Sequence, residues 1–215
     1  MLGNTSVATI IARMIVLLVA FTIHELSHAV TADRLGDPTP RRMGRITFNP
    51  LAHLDPFGTI MLLISGFGWA KPVMVNPNNL RGNPRTSMAI VAAAGPISNL
   101  IMAVVFALPV RLGLVGLSFG SQGTFPTIDS LFFEFIWINL ILMFFNLIPV
   151  PPLDGSKILF GILPPEMAYR LRPLEQYGFL ILMGLIFILP MLGFDVLGTL
   201  IGQPSATMLT MLVGL

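Results

Sequence analysis

The stretch from Val7 to Ala32 is apolar throughout, except for Arg13 and a polar cluster at its end, His24, Glu25 and His28. At 1.5 Å per residue it is long enough to cross the roughly 30 Å of bilayer hydrocarbon. It reads as a first membrane helix. A cleavable signal peptide is excluded, because the polar cluster lies where an apolar core and a small-residue cleavage site should be. The rest of the chain agrees. Of its 215 residues only 10% are charged and 54% are apolar, against about 25% and 45–50% in soluble domains, and the mean hydropathy is +0.84. So little polar surface cannot cover a water-facing globule. The formal net charge of +2 excludes the basic footprint of a nucleic-acid partner.

Three further clean spans follow, at about Ser87 to Val110, Leu131 to Pro149 and Tyr177 to Leu192. Phe57 to Trp69 is apolar but short and interrupted by glycines, which favours a re-entrant or interfacial segment over a spanning one. Arg34, Arg41, Arg42 and Arg45 precede it, and Lys71, Arg81 and Arg85 follow. A crossing would put one basic group outside, against the positive-inside tendency. Residues 33–86 are therefore expected on the cytoplasmic side, with Arg45 to Phe48 and Pro72 to Val75 pairing as short strands at the membrane surface. By alternation, residues 112–128, which lack Lys, Arg, Asp and Glu, form the outer loop, and residues 151–175 return to the cytoplasm. Phe194 to Leu215 is either interfacial or a further partial span. The expected fold is an all-α polytopic membrane protein of about four to six transmembrane helices with a short membrane-associated β or re-entrant segment. With no repeat or linker, residues 1–215 are expected to form a single membrane-embedded domain.

His24-Glu25-Leu26-Ser27-His28 reads HExxH within a strongly helical run. Histidines at i and i+4 share one helix face, so their ring nitrogens can converge on one Zn²⁺, and the neighbouring glutamate can take a proton from a metal-activated water. The chain has only three histidines and no cysteine, so two of its three imidazoles stand where polar groups are costly and functional by default.

A catalytic zinc site needs a third protein ligand and an open position. Without cysteine the candidates are carboxylates at the same membrane depth. Asp129 and Glu134 belong to the outer end of the third span, and Glu166 and Glu175 sit among basic residues. Asp154 follows Asn146-Leu147-Ile148-Pro149-Val150-Pro151-Pro152-Leu153, which ends the third span at the cytoplasmic level where HExxH lies. Prolines 149, 151 and 152 break the helix there, and irregular backbone at membrane depth is tolerated only when buried in protein or lining a wet cavity. The plainer reading of Asp154 is an N-cap for a helix from Ser156 to Leu163, and capping and ligation can coexist.

HExxH in a first membrane helix with NxxPxPPLDG near the end of a later one resembles the site-2 protease family of intramembrane zinc metalloproteases. GRITFNPLAHLDPFGT (44–59), GWAKPV (68–73) and AAGPISN (93–99) are similar to its compact prokaryotic members, without the PDZ or other regulatory domains of larger relatives. The resemblance implies one Zn²⁺ held by His24, His28 and Asp154, Glu25 as general base, and Asn146 near the reacting carbonyl. The charge placement and the alternation of spans make this a multi-pass protein of the cell membrane with its active site expected toward the cytoplasm. Its expected partners are the lipid bilayer and transmembrane or signal-peptide-like substrates.

Other residues stay open at this level. Asn99, inside the second span, is equally a helix-packing bond or a substrate contact. His53 and Asp55 hint at a second metal but lie in a turn-rich surface loop, and Trp69 with Lys71 reads as an interfacial anchor. A divalent-metal carrier is the competing functional class. It has no need of a glutamate beside the first ligand, and no inverted repeat is present. A noncatalytic scaffold is argued against by the intact HExxH and Asp154.

Overall fold

The computed structural model describes residues 6–58, 61, 68–120 and 123–215. Four helical runs are long and apolar enough to cross a membrane: α1 (Val7–Arg34), α2 (Pro84–Arg111), α3 (Ile128–Leu147) and α5 (Pro165–Met191). A short helix, α4 (Asp154–Ile162), precedes α5, and α6 (Gln203–Val213) closes the chain. Each of the four expected spans corresponds to one of these runs, with limits that differ near the ends. Each of the first three starts at a side-chain cap. Ser6 Oγ accepts from Thr9 N, Asn83 Oδ1 from Arg85 N with Pro84 following it, and Thr127 Oγ1 from Ser130 N, which satisfies donors that the first helical turn leaves free.

The buried faces of α1 and α2 repeat every four residues. On α1 they are Ala8, Ala12, Val16, Ala20, His24, His28 and Ala32. On α2 they are Ser87, Val91, Gly95, Asn99, Ala103 and Ala107. Small residues at such spacing let membrane helices approach closely without a hydrophobic driving force between them, and α1 packs along α2. The two histidines occupy two rungs of this small-residue seam.

The third helix crosses both, tied to α1 by Arg13 Nε and the buried Glu134 carboxylate at 3.1 Å. Ala103, Ala107, Phe133, Ile136, Leu140, Met143, Leu209 and Val213 form one core cluster. A second gathers Ile148, Leu153, Leu182 and Ile201. The terminal segment therefore passes from the level of Ile148 to that of Arg111, whose Nη1 donates to Met211 O at 2.8 Å, so it runs along the bundle.

The short strands expected at 45–48 and 72–75 are absent. Among the described residues the β pairing is one isolated antiparallel bridge, Leu54 to Ala70. The backbone of this region is satisfied by side chains instead. Arg45 Nη1 donates to Ala52 O (2.5 Å) and Lys71 O (3.3 Å), and Nη2 to Pro72 O (3.3 Å). Asn76 N donates to Asp37 Oδ2 at 2.7 Å. Residues 59, 60 and 62–67 of the re-entrant expectation lie outside the described residues. Its two ends are joined nevertheless, by the bridge, by Lys71 N donating to His53 O at 2.8 Å, and by Gly58, where a Cβ would collide with the Trp69 carbonyl.

Candidate active site

The α1 seam sets His24 and His28 one turn apart, with ring centroids 4.7 Å from each other and planes at 85°. Asp154 reaches them because the proline-broken end of α3 turns directly into α4. Gly155 permits that turn, since a Cβ there would collide with the Leu147 and Ile148 carbonyls. Leu153, not Asp154, holds the N-cap position of α4, and Asp154 is its first residue with a carboxylate that caps nothing. That carboxylate faces the histidines. His24 Nε2 and His28 Nε2 each lie 3.1 Å from Asp154 Oδ2, and all three residues are buried.

The donor set fits a metal. His28 Nδ1 stands 2.8 Å from Val91 O, a pure acceptor, so Nδ1 carries the proton and a neutral ring turns its Nε2 lone pair inward. His24 Nδ1 stands 2.6 Å from Asn99 Oδ1. Two nitrogen lone pairs and a carboxylate oxygen thus face one another, and positive charge is needed between them. Tetrahedral zinc with ligands at about 2.0–2.2 Å sets neighbouring ligand atoms about 3.3 Å apart, close to the 3.1 Å separations seen. The ligand atoms of all three residues lie within 4.8 Å of one another. Gly95 keeps the space open, because a Cβ on it would stand 2.5 Å from Nε2 of both histidines.

A cavity of about 440 Å³ opens onto this cluster, lined by Glu25, Asn146 and Lys157 besides His24, His28 and Asp154, with Phe21, Phe145 and Phe179 on its apolar wall. Glu25 Oε2 accepts from Val73 N at 3.0 Å. Asn146 gives one amide hydrogen to Leu142 O at 3.0 Å and keeps the other. Lys157 Nζ lies 3.6 Å from Asp154 Oδ1, on the carboxylate oxygen that the histidines do not use. Every residue expected at the site is therefore brought to one cavity.

The family scan finds the model of peptidase family M50 over residues 12–116 and 111–191. The chain belongs to peptidase family M50. Both halves of the His–His–Asp cluster fall inside the matched residues. The Bacillus subtilis (strain 168) protein named "Putative zinc metalloprotease YwhC" is 43% identical over 180 residues, covering 83% of this chain and 80% of that relative. Proteins named "Putative zinc metalloprotease Rip2" are similar as well. The one from Mycolicibacterium smegmatis is 32% identical over 172 residues (79% of this chain, 64% of the relative). The one from Mycobacterium tuberculosis (strain H37Rv) is 30% identical over 185 residues (81% and 66%). No solved structure matches the chain. This M50 member is a multi-pass membrane metalloprotease whose His–His–Asp cluster fits a single zinc ion.

Sequence reasoning left Asn99 between packing and substrate, and the structure attaches it to His24. It gave Asn139 no role, although Asn139 is fully buried in an apolar span and polar groups at that depth signal function. The backbone contact to Glu25 and the space beside Gly95 had no sequence signal at all. Among the described residues His53 and Asp55 join no metal-ligating group. His53 Nε2 donates to Thr47 O at 2.9 Å, and Asp55 Oδ1 accepts from Gly58 N at 2.9 Å.

Proposed function

We propose that this M50 protein hydrolyses peptide bonds within or next to transmembrane segments of other membrane proteins, as in regulated intramembrane proteolysis. His24, His28 and Asp154 hold the zinc ion, Glu25 is the general base and Asn146 holds the reacting carbonyl. The observation that carries this reading is the convergence of two imidazole Nε2 atoms on one carboxylate oxygen, on the same cavity as the HExxH glutamate.

Zinc, when bound, supplies the Lewis acidity that polarises a carbonyl and acidifies a water. The chain's own residues do the rest. Glu25 is anchored through Oε2, which leaves Oε1 to take a proton from the attacking water and deliver it to the leaving amine. The spare amide hydrogen of Asn146 meets the carbonyl oxygen as negative charge develops on it. The aromatic wall keeps bulk lipid and solvent from the reacting atoms. A helical substrate must unwind locally first, because its own hydrogen bonds shield the scissile peptide. Pro72, Val73 and Val75, unpaired in any sheet, line the cavity, and in this reading they hold the unwound segment by backbone contacts.

The basic residues Arg34, Arg41, Arg42, Arg45, Lys71, Arg81 and Arg85 gather at the end of the bundle that carries His28 and Asp154, which favours a cytoplasmic site. Residues 1–215 act as one membrane-embedded domain. The substrates this site suits are single-span proteins and signal-peptide remnants.

The test is zinc stoichiometry together with cleavage of a model single-span substrate in detergent, for wild type, Glu25→Gln and Asp154→Ala. The expected result is one zinc per chain with cleavage in wild type, zinc without cleavage in Glu25→Gln, and neither in Asp154→Ala. Absence of zinc from the wild type, or full cleavage by Glu25→Gln, overturns the reading.

A further inference from the structure

A line of hydrogen bonds leaves the site through the middle of the bundle. His24 Nδ1 and Asn99 Oδ1 are 2.6 Å apart, Asn99 Nδ2 donates to Asn139 Oδ1 at 2.8 Å, and Asn139 Nδ2 donates to Phe135 O at 2.8 Å. Both asparagines are fully buried, so no water competes for these bonds. A side-chain amide can turn over and exchange its oxygen for its nitrogen. This line cannot turn over, because it ends on an atom that only accepts.

The direction follows from that end. The Phe135 carbonyl has no proton to give, so Asn139 must present its NH₂ there and its oxygen to Asn99. Asn99 must then present its NH₂ to Asn139 and its oxygen to His24. A neutral His24 must in turn carry its proton on Nδ1, and its Nε2 then faces Asp154 unprotonated. An imidazole binds a metal only through an unprotonated nitrogen.

We propose that Asn139 and Asn99 are positioning residues that fix His24 in its metal-binding tautomer, with the Phe135 carbonyl as the reference for the whole line. This rests on the assignment of His24 as a zinc ligand. The two histidines reach the same state by different means, since His28 is fixed directly by the Val91 carbonyl and His24 only through two side chains from two other helices. His24 is therefore the ligand that a substitution remote from the site can disable.

With Asn139→Leu the line loses its reference. Asn99 can then turn its NH₂ toward His24 and favour the tautomer that carries its proton on Nε2. Partners of this outer kind typically account for about 10–100-fold in metal affinity, and a loss in that range is expected. Asn99→Asp restores the acceptor, because a carboxylate accepts from Nδ1–H whichever way it faces. The double variant Asn99→Asp with Asn139→Leu should recover most of the lost affinity. A mere packing role for Asn139 gives no such rescue.

The experiment is zinc affinity of the purified full chain in detergent, by competition with a chromophoric chelator, for wild type, Asn139→Leu and the double variant. Circular dichroism checks that the helices are intact. Weakened binding in Asn139→Leu with recovery in the double variant is the expected result. Wild-type affinity in Asn139→Leu overturns the positioning role while leaving the zinc site standing, and so does a loss that Asn99→Asp fails to restore. A wild type that binds no zinc overturns the metal assignment and this proposal with it.

Discussion

The guanidinium of Arg85 closes the far end of the helix that begins with Asp154, with Nη2 donating to the Phe160 and Leu163 carbonyls at 2.6 Å each. Those carbonyls are among the last-turn acceptors that a helix leaves free. Arg85 stands at the start of α2, so the helix that lines the histidines with Val91, Gly95 and Asn99 also holds α4 at its other end.

Arg85→Met should therefore loosen α4 and, through it, the aim of Asp154. Each bond from a charged donor is worth about 1.5–3 kcal/mol, so the variant is expected to unfold at lower temperature and to bind zinc several-fold more weakly. Thermal unfolding in detergent and chelator competition check both. Unchanged zinc affinity would show that α4 is held without this clamp.

Gly95→Ala places a methyl group 2.5 Å from Nε2 of both His24 and His28. Alanine is the better helix former by roughly 0.5–1 kcal/mol, so helix content should hold or rise while stoichiometric zinc is lost. Metal analysis alongside circular dichroism reads the two effects separately. Full zinc occupancy in this variant would mean that the imidazoles can retreat.

Glu25→Gln should lower kcat by about 10²–10⁴, the usual worth of a proton-transfer group, at unchanged zinc content. Val73→Pro removes the amide that anchors Glu25 Oε2. It should cost roughly ten- to a hundred-fold in kcat, the equivalent of one hydrogen bond to a charged group, with zinc again unchanged. Steady-state kinetics on a single-span substrate decide the matter, and an effect confined to KM would assign Val73 to substrate holding instead.

Asp37 organises the loops between α1 and α2. Its buried carboxylate accepts from Thr39 N and Oγ1, Asn79 Nδ2 and Asn76 N. Burial pushes its pKa up, but those hydrogen bonds outweigh burial and hold it below the ordinary value near 3.8. A lowered folded-state pKa stabilises fully above the unfolded value, and that contribution fades as pH falls through the folded one. Asp37→Ala should thus be less stable than wild type at neutral pH, by about 1–3 kcal/mol for the stranded donors. The gap should narrow only at pH values below about 3.8. Melting curves of both proteins across that range test the sign, and a gap that widens on acidification would contradict it.

The spans were legible because apolar length is a one-dimensional signal, and Val7–Arg34, Pro84–Arg111 and Ile128–Leu147 differ from the expected limits only near their ends. His24, Glu25, His28 and Asp154 were legible because their chemistry is costly in lipid and has few other uses. The strands at 45–48 and 72–75 were misread for a physical reason. Four alternating residues say that a backbone is extended, not what satisfies its hydrogen bonds, and here the side chains of His53, Arg45 and Glu25 bond Thr47 O, Pro72 O and Val73 N. The roles of Gly95 and Asn139 depend on which helices become neighbours, and no local pattern encodes that.

The line from Phe135 through Asn139 and Asn99 to His24 also bears on how the helices find one another. Apolar side chains in lipid offer nearly equivalent contacts when one helix slides a turn, about 5.4 Å, along its neighbour. Directional bonds near 2.8 Å permit no such slippage. The polar line therefore acts as a registration mark that aligns α1, α2 and α3 along their axes, so the bonds that reach His24 also select the assembled bundle from its shifted alternatives.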